Sequence, residues 1–337
     1  MITLTVHTAK QYPITITTGW KDFPRLSKKG KKVCIITDEN IAPHYLKDVK
    51  DLFKGAESVF SYQIPAGERS KSAETYLNIL AYLAQKTFNR EDMLVALGGG
   101  VVGDLTGFVA STYMRGIRYY QIPTTLLAMI DSSIGGKTGI DLPEGKNLVG
   151  TFYQPSAVYV NLDVLNSLPK EEYQNGLGEL AKYAFLSDTI SYNDLISPIS
   201  EELIAKCLNI KAEIVESDER ETGLRKLLNL GHTVGHAIET LSCYSIPHGI
   251  CVAKGLLFAI EISAKKYAIP SETKEKMLNI LQATGIDLSP LYSKAEILRA
   301  IQHDKKAKDN GVDFVFIPEI GKCQTQFLTF NALEELL

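Results

Sequence analysis

The chain changes its pattern near the middle, and that change limits the folds open to it. Up to Leu162, short apolar runs alternate with amphipathic stretches. Residues 2–6 and 14–18 read as a hairpin around Tyr12-Pro13. Val33–Thr37, Val59–Ile64, Met93–Leu97, Tyr119–Ile122 and Val158–Leu162 read as strands. Between them, residues 42–54 and a stretch capped by Ser70 or Ser72 and running to about Phe88 have helical spacing. The second of these places Tyr76, Leu77, Leu80 and Leu83 on one face. Strand–helix alternation of this kind predicts a largely parallel sheet covered by helices. From Pro169 to about Lys308 the pattern is helical almost throughout. A small hairpin turning at Gly321-Lys322 follows. The boundary is placed near residue 165, giving an α/β domain over 1–165 and a mostly α-helical domain over 166–337.

At 337 residues and 45% hydrophobic content, the chain can bury two ample cores. A net charge of −3 argues against a nucleic-acid binder, which needs a basic face. The five cysteines show no Cys-x-x-Cys spacing and read as reduced thiols of a cytoplasmic protein. Met1–Val6 alternates apolar with polar, unlike a signal peptide. No apolar run is long enough to span a bilayer. The stretch from Gly249 to Ile262 carries Lys254 and Glu261 and reads as a core helix.

Three segments carry chemistry. Gly98-x-Gly100-x-x-Gly103 follows a strand and opens a helix, where free N–H groups and the positive dipole end favour a phosphate. The same glycines would also serve an ordinary tight connection. The usual dinucleotide fingerprint lies on the first strand with an acid some twenty residues on, and this segment has neither. Asp38, however, ends an earlier strand, and Glu68 and Lys71 form a polar turn. Residues 123–147 are denser in glycine, hydroxyl and cationic residues than a connector needs, and Lys137 and Lys146 make them a candidate anion site. In the second half, His232, His236 and His248 follow Gly178-Glu179-Leu180-Ala181-Lys182. His232 and His236 share a helix face. No glutamate stands between them, so hydrolytic zinc chemistry of the His-Glu-x-x-His kind is poorly supported. Hydrogen-bonded core histidines are the bland alternative. The presence of Glu179 and His248 favours a metal site with three protein ligands.

At these residues the chain resembles the 3-dehydroquinate synthase family. The matching segments are Gly98–Phe108, Met114-Arg115-Gly116, Gln121–Gly150, Gly178–Lys182, Arg225–His236 and His248-Gly249. The resemblance implies a Rossmann-like N-terminal domain that binds NAD and a helical C-terminal domain that carries a divalent metal, Zn2+ or Co2+. It implies Glu179, His232 and His248 as ligands, with His236 a proton-transfer residue rather than a fourth ligand. NAD contacts would include Asp38, Glu68, Lys71, Gly99, Gly100, Val101, Asp104, Thr124, Thr125, Lys146 and Asn147. The substrate would meet Arg115, Asp131, Lys137, Asn147, Lys182, Lys211, Arg225, Asn229, His236 and one of Lys305 or Lys306. Of these residues, His236, Lys137, Lys146, Asn147, Lys182 and Arg225 are the expected catalytic group.

The implied reaction converts 3-deoxy-D-arabino-heptulosonate 7-phosphate, a phosphorylated sugar acid, to 3-dehydroquinate and phosphate in the shikimate pathway. A homodimer with no nucleic-acid or membrane partner goes with it. The alternatives are another sugar-phosphate cyclase, of the 2-deoxy-scyllo-inosose or valiolone type, or a metal-dependent alcohol or glycerol dehydrogenase. A catalytically dead scaffold is a further one. The chain departs from the family in two places. The family usually reads His-Gly-Glu-Ala-Val where this chain has His248-Gly249-Ile250-Cys251-Val252, and it commonly has Asn at Asp141.

Overall fold

A computed structural model describes residues 1–21, 23, 31–303 and 310–337. Lys305 and Lys306 lie outside the described residues. The chain divides into two compact units, Met1–Leu168 and Pro169–Leu337.

The first unit contains β1 (Ile2–Val6), β2 (Tyr12–Thr17), β3 (Lys32–Asp38), α1 (Ala42–Leu52), β4 (Ser58–Ile64), α2 (Ala73–Gln85), β5 (Met93–Gly98) and α3 (Gly100–Thr112). After these come β6 (Arg118–Pro123), β7 (Lys137–Leu142), β8 (Gly145–Phe152) and β9 (Ala157–Asn161). Seven strands form one sheet in the order β1-β2-β9-β6-β5-β3-β4. All its pairings are parallel except β1 with β2. Strand alternation sends neighbouring side chains to opposite faces. Cys34, Ile36, Leu94 and Ala96 pack under α2 and α3, while Val33, Ile35, Met93, Val95 and Leu97 pack under α1. The result is the three-layer α/β plan read from the sequence.

Three local expectations change. The first turn precedes Tyr12, and Pro13 lies inside β2, opposite Thr5. It is tolerated because the β2–β9 pairing begins only at Ile14, so no donor is missed there. Leu77 of α2 is 60% exposed; Leu83 is buried as expected, joined by Ile79, and Tyr76 and Leu80 pack half-buried on the same core. The polar stretch after β6 is not structureless. A π-type turn covers Ala128–Ser132, and β7 and β8 pair as an antiparallel hairpin. Gly107 of α3 lets the hairpin close on the helix, because a Cβ there would stand 2.4 Å from Thr138 Cγ2.

The second unit is helical: α4 (Lys170–Leu186), α5 (Tyr192–Ile196), α6 (Glu201–Ser217), α7 (His232–Leu241), α8 (His248–Tyr267), α9 (Ser271–Gln282) and α10 (Lys294–Gln302). The hairpin β10 (Gly311–Phe316) and β11 (Gln324–Thr329) follows, and α11 (Phe330–Leu336) ends the chain. The core helix read between Gly249 and Ile262 lies within α8, starting at its second residue. Among the described residues, no helix is long and apolar enough to cross a membrane. The final short helix had no distinct sequence signal.

Candidate functional site

In the first unit, the parallel topology gathers Asp38, the glycine turn, Thr124 and Thr125 at the carboxyl edge, while Arg115, just before β6, lies at the amino edge. The chain steps from β3 outward to β4, then returns to place β5 on β3's other side. Such a reversal opens a crevice at the carboxyl ends of the two strands. Asp38 ends β3, and the Gly98–Gly100 turn ends β5; their neighbours Thr37 and Leu97 pair directly. Thr124 and Thr125 follow β6 at the same edge, and the Thr124 N–H donates to Gly98 O at 3.0 Å. Glu68 and Lys71 lie in the 3-10 turn that follows β4.

Helix α3 begins at Gly100 with Gly99 as its cap and no side-chain capping bond. The glycines here are not needed for a left-handed backbone: Gly99 has φ −76°. They are needed for close approach. A Cβ on Gly99 would meet Thr125 Cγ2 at 3.0 Å, and one on Gly103 would meet Gln121 Oε1 at 2.9 Å.

A polar network joins this edge to the hairpin. Lys71, 4% exposed, donates to Asp104 Oδ2 at 2.6 Å and to Asn147 Oδ1 at 2.5 Å. Burial lowers its pKa, but Asp104 and Glu68 outweigh that and raise it. Burial raises the pKa of Glu68 against the pull of Lys71 and Lys146, and Lys146 Nζ lies 3.8 Å from Glu68 Oε1. Burial also raises the Asp38 pKa, partly offset by N–H bonds from Ile41 and Asn40. Asn147 has a left-handed backbone at φ +57°, and its N–H donates to Asp141 Oδ1 at 2.8 Å. An asparagine at position 141 could accept the same bond, so this departure from the family changes charge rather than the turn.

Lys137 opens β7 opposite Phe152, at the far end of the hairpin from Lys146 and Asn147. Asp131 sits in the π-type turn. Arg115 is exposed in a tight turn where Met114 and Arg115 both have positive φ. The Arg90 guanidinium braces that turn through Met114 O.

In the second unit, α4, α7 and α8 bring one carboxylate and three imidazoles together. Glu179 Oε1 lies 3.1 Å from His248 Nε2 and 3.3 Å from His232 Nε2. Two donors bound to one ion at about 2.0–2.1 Å in a tetrahedral arrangement stand roughly 3.3–3.4 Å apart, so these spacings fit a shared cation. His232 Nδ1 is 3.0 Å from Leu230 O, and His248 Nδ1 is 3.1 Å from Glu239 Oε2. Both rings can therefore carry their proton on Nδ1 and turn Nε2 inward. Donor atoms of His232, His236 and His248 also lie within 4.8 Å of one another, so geometry alone leaves His236 inside the group.

Glu179 is 2% exposed, with Lys182 Nζ 2.6 Å from Oε2 at an angle poor for a hydrogen bond. Burial pushes the Glu179 carboxyl up, but Lys182 and His232 overcome this and hold it well below the usual range. Burial lowers the His232 pKa. For His248 burial also lowers it, but the carboxylates of Glu179 and Glu239 win and carry it to about 9.

Close helix packing makes this possible. A Cβ on Gly178 would stand 1.9 Å from Gly249 O, and one on Gly249 would stand 1.9 Å from Asn175 O. Asn175 Oδ1 also accepts the Gly249 N–H at 2.6 Å, fixing the first turn of α8 to α4.

Arg225 does not belong to the helix of His232. It lies in a 3-10 turn, Leu224–Asn229, and Gly231 at φ +79° breaks the path to α7. Arg225 is 1% exposed, and its Nη1 donates to Glu219 O at 2.6 Å. Lys211, 6% exposed, comes from α6, which packs on that turn. Asn229 Nδ2 donates to Glu221 Oε1 at 2.8 Å.

Sequence reasoning missed three residues here: Glu239, Glu221 and Asp218. Glu239 was findable, because it lies two turns after His232 in an apolar run. Asp218 accepts the N–H groups of Thr222, Gly223 and Arg225 at 2.9, 2.7 and 3.0 Å and thereby shapes the loop that carries Arg225. Burial raises its pKa, but the N–H bonds together outweigh it, and the pKa falls to about 2.

Comparison with known proteins bears on the whole chain. Residues 61–175 match the family model described as 3-dehydroquinate synthase N-terminal, and residues 176–307 match the one described as 3-dehydroquinate synthase C-terminal. A 3-dehydroquinate synthase of Geotalea uraniireducens (strain Rf4) is 42% identical over 308 residues, 87% of this chain and 85% of that protein. The solved structure of a 2-deoxy-scyllo-inosose synthase complexed with carbaglucose-6-phosphate, NAD+ and Co2+ superposes with a TM-score of 0.88. It has 24% identity and covers 99% of each chain. A 2-epi-5-epi-valiolone synthase from Streptomyces hygroscopicus subsp. jinggangensis 5008, with NAD+ and Zn2+ bound, gives a TM-score of 0.86. Its identity is 22%, covering 96% of this chain and 95% of that one. Those two structures share the fold with this chain. The two matched family models and the 42% identical relative establish that the chain belongs to the 3-dehydroquinate synthase family.

Proposed function

We propose that this protein is a 3-dehydroquinate synthase, converting 3-deoxy-D-arabino-heptulosonate 7-phosphate to 3-dehydroquinate and phosphate. The observation that carries the reading is 42% identity over most of both chains to a 3-dehydroquinate synthase. It is joined by buried Glu179 with half-buried His232 and His248, spaced as ligands of one cation would be. The identity to the inosose synthase is 24%, which makes that cyclase activity the weaker alternative.

NAD when bound supplies a hydride acceptor that later returns the hydride, and a divalent ion when bound polarises the hydroxyl being oxidised. Glu179, His232 and His248 would hold the ion; Zn2+ and Co2+ both suit this donor set. NAD would be held at the carboxyl edge of the sheet. The N–H groups of the Gly99–Val101 turn would face the pyrophosphate and Asp38 a ribose, with Glu68, Lys71, Asp104, Thr124, Thr125, Lys146 and Asn147 around them.

His236 is assigned to take the C5 hydroxyl proton, since an imidazole titrates near neutrality. Losing that proton and a hydride turns the C5 alcohol into a ketone. The ketone acidifies the adjacent C–H, and phosphate leaves by β-elimination, with an oxygen of the phosphate itself taking that proton. After the carbonyl is reduced again, ring opening and an internal aldol closure give the product.

Arg225 is assigned to the substrate carboxylate, which a guanidinium fork can meet with two bonds, and Lys182, Lys211 and Asn229 are assigned to the same substrate. Lys137 and Asn147 are assigned to the phosphate, with Arg115, Asp131 and one of Lys305 or Lys306 completing the contacts. The five cysteines are all free, which fits a reducing, cytoplasmic setting. A homodimer is the assembly we expect from the family.

Phosphate release from three substrates tests the reading. The heptulosonate phosphate should be consumed, while glucose 6-phosphate and sedoheptulose 7-phosphate should not. Preference for glucose 6-phosphate would establish the inosose alternative.

A further inference from the structure

We propose that Glu239 is a positioning residue for the metal site, its buried carboxylate orienting His248 as a ligand through Nδ1. The inference rests on the ligand set proposed above and extends it to a residue outside that set. Glu239 lies on α7 seven positions after His232, hence two helical turns along the same face. One helix therefore carries a ligand in its first turn and, two turns later, the group that holds a second ligand on the next helix.

Three observations support the role. Glu239 is 6% exposed and flanked by Ile238, itself 3% exposed; a carboxylate there is costly unless a donor meets it. Its Oε2 is 3.1 Å from His248 Nδ1, while the opposite ring nitrogen, Nε2, is 3.1 Å from Glu179 Oε1. The backbone beside His248 is fixed independently, by the Gly249 N–H bond to Asn175 Oδ1 of α4. So α4 fixes the position of His248 and α7 fixes the rotation of its ring. A carboxylate on the outer nitrogen selects the tautomer with Nε2 free to bind and makes that nitrogen a stronger donor.

The test measures metal affinity by chelator competition with Zn2+ in the parent protein and in Glu239→Gln, an isosteric change that removes the charge. The variant should bind Zn2+ more weakly by about 10–100-fold, the usual cost of losing such a partner. Its metal-free form should still melt in one cooperative transition, lowered by loss of the Glu239–His248 pair, so that affinities are compared between folded proteins. The visible absorption of the Co2+-loaded variant should shift as well. In a His248→Ala background, Glu239→Gln should add no further loss of affinity.

Unchanged Zn2+ affinity in Glu239→Gln, or an equal additional loss in the His248→Ala background, would overturn the assignment while leaving the ligand set intact. Nitrogen NMR of the Zn2+-loaded parent gives a check that needs no variant. His248 should carry its proton on Nδ1, and a metal-bound Nδ1 would refute the role. A parent protein that takes up no divalent ion would overturn this inference and the ligand set together.

Discussion

At the scale of single residues, three neighbouring histidines are proposed to divide metal holding from proton transfer. The ring centroids of His232 and His236 are 5.3 Å apart, so proximity does not divide the roles. The proposed ligand roles of His232 and His248 rest on both nitrogens of each ring: Nε2 stands beside Glu179 Oε1, and Nδ1 beside an acceptor, Leu230 O and Glu239 Oε2 respectively. His232→Ala should therefore lose bound metal and turnover together, as read by metal analysis of the purified protein. Full metal content in that variant would contradict the assignment. His236→Ala should keep its metal and lose about 10²–10⁴-fold in kcat, the range for removed acid–base help. Metal loss there would instead make His236 a ligand.

Asp218 offers a test of the loop that presents Arg225. Its folded pKa, about 2, lies below the ordinary aspartate value of about 3.9. A group depressed in the folded state contributes stability above its unfolded pKa and loses it as pH falls through the folded one. The melting-temperature gap between the parent and Asp218→Asn should be full above about pH 4 and close toward pH 2. A gap independent of pH over that window would mean the carboxylate charge contributes nothing.

At the scale of elements, the site depends on how closely α4 and α8 approach. Gly178 precedes Glu179, and Gly249 follows His248, so the two proposed ligands sit where the helix backbones come close. Gly178→Ala would force a methyl to within 1.9 Å of Gly249 O, and both atoms belong to rigid helices. The variant should lose about 3 kcal/mol of stability, the upper part of the range for overpacking, and bind metal more weakly as Glu179 and His248 part. Calorimetry with a chelator titration reads both. An unchanged melting temperature would mean that the helices slide apart freely. The first unit uses glycine in the same manner, where Gly103 and Gly107 admit Gln121 and Thr138 against α3. Nothing in the structure explains Ile250 in place of the family's usual glutamate.

At the scale of the whole molecule, periodicity made much of the architecture legible. β3 and β5 are short apolar runs bounded by polar residues, and α6, α8 and α9 carry clear helical spacing. The β7–β8 hairpin was not legible. Its strands carry Gly139 and Gly150 where they cross, and that glycine-rich, polar composition resembles a loop. The break at Gly231 was hidden too, because the residues on either side both have helical spacing. Asp38 and the glycine turn were seen singly. Only the strand order, with β3 between β4 and β5, brings them side by side. Glu239 and Asp218 escaped notice because their importance comes from a partner's geometry rather than from their own sequence signal.

The most direct test of the central claim, a hydride removed and returned within one turnover, follows NADH absorbance and free phosphate in a single reaction. The protein is supplied with Zn2+, NAD and 3-deoxy-D-arabino-heptulosonate 7-phosphate. Phosphate should rise in step with 3-dehydroquinate while NADH stays no higher than the enzyme concentration. NADH accumulating turnover after turnover without phosphate would make this protein a dehydrogenase and contradict the account.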